Sequence, residues 1–190
     1  MAVVERLKLS RESDDYTDVS LLFEMHNTRG FTIQSIEKVH NDVLMQQFQR
    51  KEEEYVHRYG HVRTVKVFHG TKKDNISSIL RTNLDVNRHG TNIGHRFGAG
   101  VSFSARSSYA SNYCDKQEND KTMLLCYVLV SEIVNVPEVR NPQLVLREPP
   151  EIPGREPLRY DTTAKNKDIM DVIVKFEQHS YYPAYVLTYN

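Results

Sequence analysis

The feature that most restricts the fold is an uninterrupted apolar segment in the middle of the chain, Met123–Val130. Such a run is typical of a strand buried on both faces of a sheet. Further along, Val172–Phe176 and Tyr185–Tyr189 alternate in the manner of half-buried strands. Pro183 fits the start of the last strand. Asn141–Pro157 holds five of the seven prolines and is predicted to be a surface loop.

Two segments of the first half have the spacing of amphipathic helices. In Asp14–Met25 the apolar side chains recur every three or four residues, with Asp14 or Asp15 as the candidate N-cap. Asp42–Tyr59 is the longest such pattern, with one apolar stripe and a charged, solvated face. Gly60 is placed to end it. Both segments are therefore predicted to be helices.

Strand patterns alternate with these helices. Phe31–Val39 and Thr64–Phe68 are predicted strands, and Ala105–Tyr113 has a helical pattern. Thr71 and Asp74 have the spacing of a capping box that opens a further helix. The mixture, with most strands in the second half, predicts a strand-dominated α+β fold.

Length and charge favour a single compact domain. The 190 residues suffice for one core and leave little room for a second. We expect residues 1–13 to be a flexible lead-in and residues 14–190 to form the domain. Lys plus Arg equals Asp plus Glu, at 25 each, which argues against nucleic-acid binding as the main role. The cations between Arg63 and Lys73 are the remote candidate for such a surface, but no aromatic residues are interleaved with them.

The cysteines and the N-terminus indicate an intracellular protein. Cys114 and Cys126 have no paired spacing, so they are expected to be reduced thiols. Met1–Ser10 is charged early and has no continuous apolar segment, so neither a signal peptide nor a membrane partner is expected. We therefore expect the chain in the cytoplasm or nucleus.

Several common chemistries lack their motifs. Gly94, Gly98 and Gly100 are close together, but no Gly-Lys-Ser/Thr follows, which excludes a P-loop. No G-x-G-x-x-G opens a helix after a strand, and no G-x-S-x-G elbow is present. The eight histidines show no metal-binding spacing, so no metal site is predicted.

The remaining motifs are short, but their order and spacing are informative together. They run in this order: Gly30–Gln34, Ile36–Val39, Phe68–Thr71, Asn83–Asp85, His89–Thr91, Gly98–Phe103, Tyr109 and Tyr113, Tyr160–Asp161, and Tyr182–Pro183. From about Asp14 to Tyr189 this succession resembles the catalytic domain of the poly(ADP-ribose) polymerase family. The branch most similar to it contains the zinc-finger antiviral protein and its mono-ADP-ribosylating relatives. The resemblance implies an ADP-ribosyltransferase fold, two packed, mostly antiparallel sheets flanked by helices.

The resemblance also implies a substrate, NAD+, and residues that bind it. His69 would hydrogen-bond the adenosine ribose, and Gly70 would bind the nicotinamide carboxamide through its backbone, which a residue without a side chain permits. Tyr113 would stack on the nicotinamide ring, for about 1 kcal/mol beyond its buried area. Thr71 and Phe103 belong to the same implied binding set. His89–Gly98 corresponds to the loop that covers the donor site in the family.

Three positions depart from the family pattern. Active members carry a His-Tyr-Glu or His-Tyr-aliphatic triad, and the resemblance places its members on His69, Ser102 and Val172. Ser102 cannot stack on nicotinamide, and Val172 cannot bind ribose hydroxyls as the Glu does in polymer synthesis. Ala110 stands where the family offers a Ser hydroxyl to the carboxamide, although Ser108 or Ser111 could substitute. The losses at positions 102 and 110 together predict NAD+ binding weaker by roughly tenfold to a hundredfold.

Two functions stay open at this point. The first is a mono-ADP-ribosyltransferase that moves ADP-ribose from NAD+ to a protein acceptor, or alternatively to a nucleic acid, and releases nicotinamide. The second is an inactive domain of the same fold that serves as a binding module. Intact His69-Gly70-Thr71 together with Tyr113 favours the first, whereas Ser102, Ala110 and Val172 occurring together favour the second.

Overall fold

A computed structural model describes residues 3–88, 96–117 and 119–190. Within them the chain forms four α-helices: α1 (Asp14–Met25), α2 (Asp42–Tyr59), α3 (Lys73–Thr82) and α4 (Ser107–Ala110). Nine strands accompany them: β1 (Glu5–Lys8), β2 (Ile33–His40), β3 (Arg63–Gly70), β4 (Val101–Phe103), β5 (Lys121–Val130), β6 (Ile133–Asn135), β7 (Thr162–Ala164), β8 (Ile173–Lys175) and β9 (Tyr181–Tyr189). Two 3₁₀ helices lie at Val86–Arg88 and Ser111–Tyr113.

The strands form two sheets, as the sequence predicts. The first has the order β1-β2-β9-β5-β3 with every neighbouring pair antiparallel. Its strand β5 lies between two others, and of Met123–Val130 only Tyr127 is not fully buried. The second sheet has the order β4-β8-β7-β6, in which only β6 and β7 run parallel. The α+β prediction with mostly antiparallel sheets is confirmed.

A backbone bridge joins the two sheets. The Phe68 N–H donates to the Ser104 carbonyl at 2.7 Å, and the Ser104 N–H donates back to Phe68 at 2.9 Å. The end of β3 therefore lies beside the end of β4. This junction brings His69 next to Ser102, residues that are 33 positions apart in the chain.

The two long helices occupy the predicted ranges, and their ends are capped by nearby residues. The Ser13 hydroxyl accepts a hydrogen bond from the Tyr16 N–H at 3.2 Å and caps α1, so the cap lies one residue before the predicted aspartates. Asn41 caps α2 through the Leu44 N–H. Gly60 ends α2 with a φ of 82°, a left-handed conformation that glycine adopts without strain.

The capping box predicted from Thr71 and Asp74 was wrong. Helix α3 begins at Lys73, and the preceding Lys72 makes no side-chain cap. The first N–H of α3 donates instead to the Asp115 carboxylate at 2.7 Å, from a distant part of the chain. Thr71 accepts a hydrogen bond from the Asn75 amide. A tertiary contact has replaced the local cap.

Two other local expectations differ from the structure. The predicted flexible lead-in, residues 1–13, contains β1, which pairs with β2 and satisfies backbone groups that would otherwise lie at a sheet edge. All four β1 side chains are exposed, so no apolar alternation indicated a strand. Pro183 lies inside β9, beside a register shift between Leu125 and Cys126 of β5. An irregularity of this kind accommodates a residue that has no N–H.

The core also contains a buried ion pair. The Lys175 ammonium donates to Asp161 at 2.6 Å and to the Thr162 hydroxyl at 2.9 Å, and the charged side chains of the pair are fully buried. Lys175 Nζ also lies 5.0 Å from the ring centre of Tyr55. Because each charge has several partners, its loss of water is compensated. Within residues 3–88, 96–117 and 119–190, no helix has both the length and the hydropathy to cross a membrane.

Candidate functional site

A cleft of about 1200 Å³ opens between the end of β3, helix α3 and the β4–α4 segment. It is lined by seven of the eight side chains or backbone positions that the sequence proposes for the site: His69, Gly70, Thr71, Ser102, Phe103, Ala110 and Tyr113. These residues come from three separated parts of the chain. The junction of β3 with β4 is what brings them to one cavity.

His69 is held in one orientation and one tautomer. Its Nδ1 lies 2.9 Å from the Ser102 carbonyl oxygen, which can only accept, so Nδ1 carries the proton. Its ring packs against Phe103, with ring centres 5.6 Å apart. Burial lowers the pKa of His69 below the ordinary value of 6.5, and the Ser102 hydrogen bond opposes this only in part. His69 is therefore neutral at pH 7, and its Nε2 is an acceptor available to a ligand in the cleft.

Gly70 is required by packing as well as by its place in the strand. A Cβ atom at this position would lie 1.8 Å from the Ala110 carbonyl oxygen and 3.1 Å from Tyr113 Cβ. Alternation along β3 also turns its backbone N–H and C=O to the same edge as those of Phe68, away from β5. Gly70 therefore has its backbone groups at an edge where a ligand can reach them. The close approach of the Ala110 carbonyl is a second reason for glycine at this position.

Tyr113 forms the far wall of the cleft. It is 38% exposed, so its ring is accessible. Its hydroxyl lies 3.2 Å from the hydroxyl of Tyr109, and the ring centres are 5.8 Å apart. The sequence comparison named Tyr109 only as part of a motif. In the structure it lines the cleft, and its contacts orient Tyr113.

The two departures at positions 102 and 110 fall on the cleft wall. Ser102 and Ala110 both line the cavity. The expected substitutes for the missing hydroxyl at position 110 are engaged elsewhere. Ser108 donates to the His26 carbonyl at 2.8 Å, and Ser111 accepts from the Tyr189 hydroxyl at 2.8 Å. Neither serine lines the cleft, and the expectation that one of them replaces the missing contact stays a prediction.

Val172 is the one predicted site residue that does not line the cleft. It is 3% exposed and packs in a small apolar cluster with Phe97 and Val174. Tyr109 packs against this cluster, so Val172 lies behind the aromatic wall and not on the cavity surface. An aliphatic side chain suits this buried place. Val172 therefore has a packing role in the structure, and the triad place that the resemblance gave it stays a prediction.

Thr71 and Phe103 support the site from behind. Phe103 is 2% exposed and lies between the rings of His69 and Tyr181, so it positions His69. Thr71 is nearly buried and accepts a hydrogen bond from Asn75 at 3.1 Å. Residues 89–95 of the segment that corresponds to the covering loop lie outside the described residues. Among the residues described, no cluster of His, Cys, Asp and Glu has the arrangement of a metal site.

This fold and this cleft define an ADP-ribosyltransferase domain. Residues 13–152 match the family model for the poly(ADP-ribose) polymerase catalytic domain, and the chain belongs to that family. Enzymes of the family use NAD+ as a substrate. The predicted family and its mono-ADP-ribosylating branch are confirmed, since the similar curated proteins include mono-ADP-ribosyltransferases.

The relatives are long proteins that this chain matches in part. Protein mono-ADP-ribosyltransferase PARP12 of Homo sapiens is 29% identical over 98% of this chain and 26% of its own length. The Mus musculus protein of the same name is 26% identical, over 98% and 25%. Protein mono-ADP-ribosyltransferase PARP14 of Homo sapiens is 24% identical, over 97% and 10%. The chain thus spans about a quarter of the length of the first two.

Proposed function

We propose that this domain binds NAD+ in the β3–α4 cleft and transfers a single ADP-ribose to a protein acceptor. The observation that carries the proposal is the arrangement of His69, Gly70 and Tyr113 around one cavity. His69 presents a neutral acceptor nitrogen, Gly70 presents backbone groups at a strand edge, and Tyr113 presents an accessible ring. A flat ring that carries an amide, such as nicotinamide, matches the backbone groups of Gly70 and the ring of Tyr113, and a ribose hydroxyl matches the acceptor nitrogen of His69.

The reaction needs a leaving group and a nucleophile. The bond between ribose C1′ and the nicotinamide nitrogen breaks, and its electron pair leaves with neutral nicotinamide. A carboxylate of the acceptor protein then forms the new bond to C1′, with no proton to remove. Hydrogen bonds from Gly70 to the carboxamide would hold the leaving group, and Nε2 of His69 would accept from a ribose hydroxyl. A single transfer is proposed because Val172, at the third triad place, has no group for chain elongation.

A specific observation favours a second function, a binding module that has lost the chemistry. Ser102 and Ala110 line the cleft without an aromatic ring or a hydroxyl for the amide. The Ser108 hydroxyl donates to His26 and the Ser111 hydroxyl accepts from Tyr189, which supports the view that neither replaces the missing hydroxyl. The loss of both contacts is expected to weaken NAD+ binding by roughly tenfold to a hundredfold. The domain would then act through its surface.

Label transfer decides between the two. The purified chain is incubated at high concentration with NAD+ labelled in the adenosine half, together with a cell lysate that supplies acceptors. We expect label on protein, and none with His69→Ala. Nicotinamide release without acceptors is measured in parallel, so that hydrolysis of NAD+ is separated from transfer. Neither transfer nor release by the wild-type chain would leave the binding module as the function.

We place this activity inside the cell, in the cytoplasm or nucleus, where NAD+ and protein acceptors occur together. The support is chemical, because Cys114 and Cys126 are both buried free thiols in the structure. Fractionation of cells that express the chain, followed by detection in cytosolic, nuclear and secreted fractions, tests this. Recovery from the secreted fraction alone would contradict it.

A further inference from the structure

Strand β3 has an open backbone edge beyond its junction with β4. The N–H and C=O of Phe68 both bond to Ser104 on that edge. Because these groups alternate along a strand, those of Thr64 and Lys66 point to the same side, away from β5. Leu129, which lies opposite Thr64 on β5, supports this orientation. Its N–H points away from β3 and donates to the Ser180 carbonyl at 2.9 Å.

Within residues 3–88, 96–117 and 119–190, no strand pairs with β3 on the side away from β5, apart from the single bridge to Ser104. Strand β4 borders β3 only at Ser104, and the next residue, Ala105, turns away and donates its N–H to the Met170 carbonyl at 2.9 Å. A groove of about 450 Å³ lies there, between β3 and the Lys167–Met170 loop. Its apolar part includes Val65, Met170 and Ile169, which is 47% exposed.

The same groove carries a local excess of positive charge on a neutral chain. Arg63, Lys66 and Lys167 line it and are exposed, against the single carboxylate of Asp168. In the part of the chain that the structure describes, none of these three cations forms an ion pair. The groove therefore combines unpaired strand groups, apolar contacts and cations.

The other edge of the same sheet provides a contrast. Strand β1 is also an edge strand, and its four side chains are exposed. Of its two cations, Arg6 and Lys8, the first is already paired with Glu37 of the neighbouring strand, and β1 also carries the carboxylate of Glu5. The cleft and this groove both border β3, and no residue of β1 lines either of them. An open edge alone is therefore not the distinguishing feature of β3.

We propose that the open edge of β3 binds an extended acidic peptide segment of a partner protein as an added β-strand. The peptide backbone would pair with Thr64 and Lys66 and continue the line of β4. Because side chains alternate along β3, one set of peptide side chains would contact the apolar part of the groove on the face of Val65, and the acidic set would meet Lys66 on the other face. Arg63 and Lys167 add positive charge at the same groove. Main-chain pairing gives affinity in this recognition mode, and the alternate side chains give specificity. This inference is independent of NAD+.

The test uses a short synthetic peptide that alternates Val and Glu, titrated without NAD+ into the 190-residue chain. We expect binding that weakens about tenfold with Lys66→Glu, because one attraction becomes a repulsion. The matched control, Lys8→Glu on the opposite edge strand, should leave affinity unchanged. Hydrogen exchange followed by NMR should slow at the Thr64 and Lys66 amides and not at Val65, which faces β5.

Three further peptides separate backbone pairing from simple charge. In two of them, every second backbone nitrogen of the Val and Glu peptide is methylated, starting at the first residue in one peptide and at the second residue in the other. The peptide whose methylated nitrogens would face β3 lacks the donors for pairing and should bind at least tenfold more weakly. A peptide that alternates Val and Lys should not bind. The proposal is overturned if the Val and Glu peptide does not bind, if both methylated peptides bind as well as it does, or if Lys8→Glu has the effect of Lys66→Glu. It is also overturned if an RNA oligonucleotide binds this edge and the peptide does not.

Discussion

The two walls of the cleft differ in how completely they can grip a nicotinamide ring. The β3 wall has a neutral His69 fixed by Ser102 and a strand end at Gly70, and it faces the ring of Tyr113. The β4 wall offers Ser102 and, beside it, Ala110. One wall therefore keeps the groups that orient a substrate, while the other has lost an aromatic surface and a hydroxyl.

The difference shows which parts of the site serve two purposes. Gly70 holds the β3 wall against the Ala110 backbone, and His69 packs on the buried ring of Phe103, so both are tied to the core. The side chain at position 102 has no comparable packing role and is only half-buried. A residue that supports both the fold and the site is costly to lose. A residue that serves only the ligand can change while the fold remains.

The largest effect is expected from Gly70→Ala on the complete wall. The new Cβ would lie 1.8 Å from the Ala110 carbonyl oxygen, so α4 must shift. We expect a loss of about 3 kcal/mol in the free energy of unfolding and no measurable NAD+ binding. Urea unfolding and calorimetry measure the two. The control is Gly154→Ala, whose added Cβ would have no atom within 4 Å. Because Gly154 has a φ of 78°, this substitution should lower the free energy of unfolding by about 1 kcal/mol and leave NAD+ affinity unchanged. Equal costs would contradict the packing argument.

The next largest effect comes from restoring the deficient wall. Ser102→Tyr with Ala110→Ser returns an aromatic ring and a hydroxyl to the cleft. We expect NAD+ affinity to rise by roughly tenfold to a hundredfold, with each single variant giving part of the gain. Calorimetric titration measures it, and Ser108→Ala, whose hydroxyl points to His26, is the control without a gain. If the double variant binds no better, positions 102 and 110 do not contact nicotinamide.

A smaller loss is expected at the far wall. Tyr113→Ala removes the accessible ring and should weaken NAD+ binding by about tenfold, with little change in stability because the residue is 38% exposed. Tyr113→Phe keeps the ring and loses only the hydroxyl contact with Tyr109, so its affinity should stay near wild type. A Phe variant as weak as the Ala variant would mean that the hydroxyl, not stacking, binds the substrate.

The pH dependence of binding gives the smallest and most specific effect. Burial lowers the pKa of His69, so Nε2 stays free of a proton as the pH falls through 6.5. We expect NAD+ affinity to be constant from about pH 8 through 6.5 and to fall only in more acidic solution, where His69 gains a proton. In His69→Gln that acid fall should be absent. A midpoint at or above 6.5 in the wild-type chain would show that His69 titrates in its ordinary range.

Local pattern predicted what depends on neighbouring residues and missed what depends on distant ones. The apolar run of β5 and the stripe of α2 needed no partner to be recognised, and both lie where predicted. The cap of α3 by Asp115 and the strand β1, whose side chains are all exposed, depend on partners that local patterns do not show. The buried pair of Lys175 and Asp161 was invisible for the same reason.

The same distinction applies to the site. The family motifs identified the residues of the cleft because their order along the chain is characteristic, and seven of eight line it. Val172 is absent from the cleft lining, because a motif gives a position in a strand and not the side chains packed against it, here Tyr109. The targets of Ser108 and Ser111 likewise depended on His26 and Tyr189, which are far away in the sequence.

The central claim is that Gly70 and Tyr113 hold the nicotinamide ring of NAD+, while the neighbouring His69 binds a ribose hydroxyl of the adenosine half. It is tested most directly by an NMR titration that follows the Gly70 amide and the Tyr113 ring, with NAD+ in one series and ADP-ribose, which has no nicotinamide, in the other. The account predicts saturable shifts of both signals with NAD+ and little change of either with ADP-ribose. A folded chain in which neither signal moves at millimolar NAD+, or in which both ligands move them equally, would contradict it.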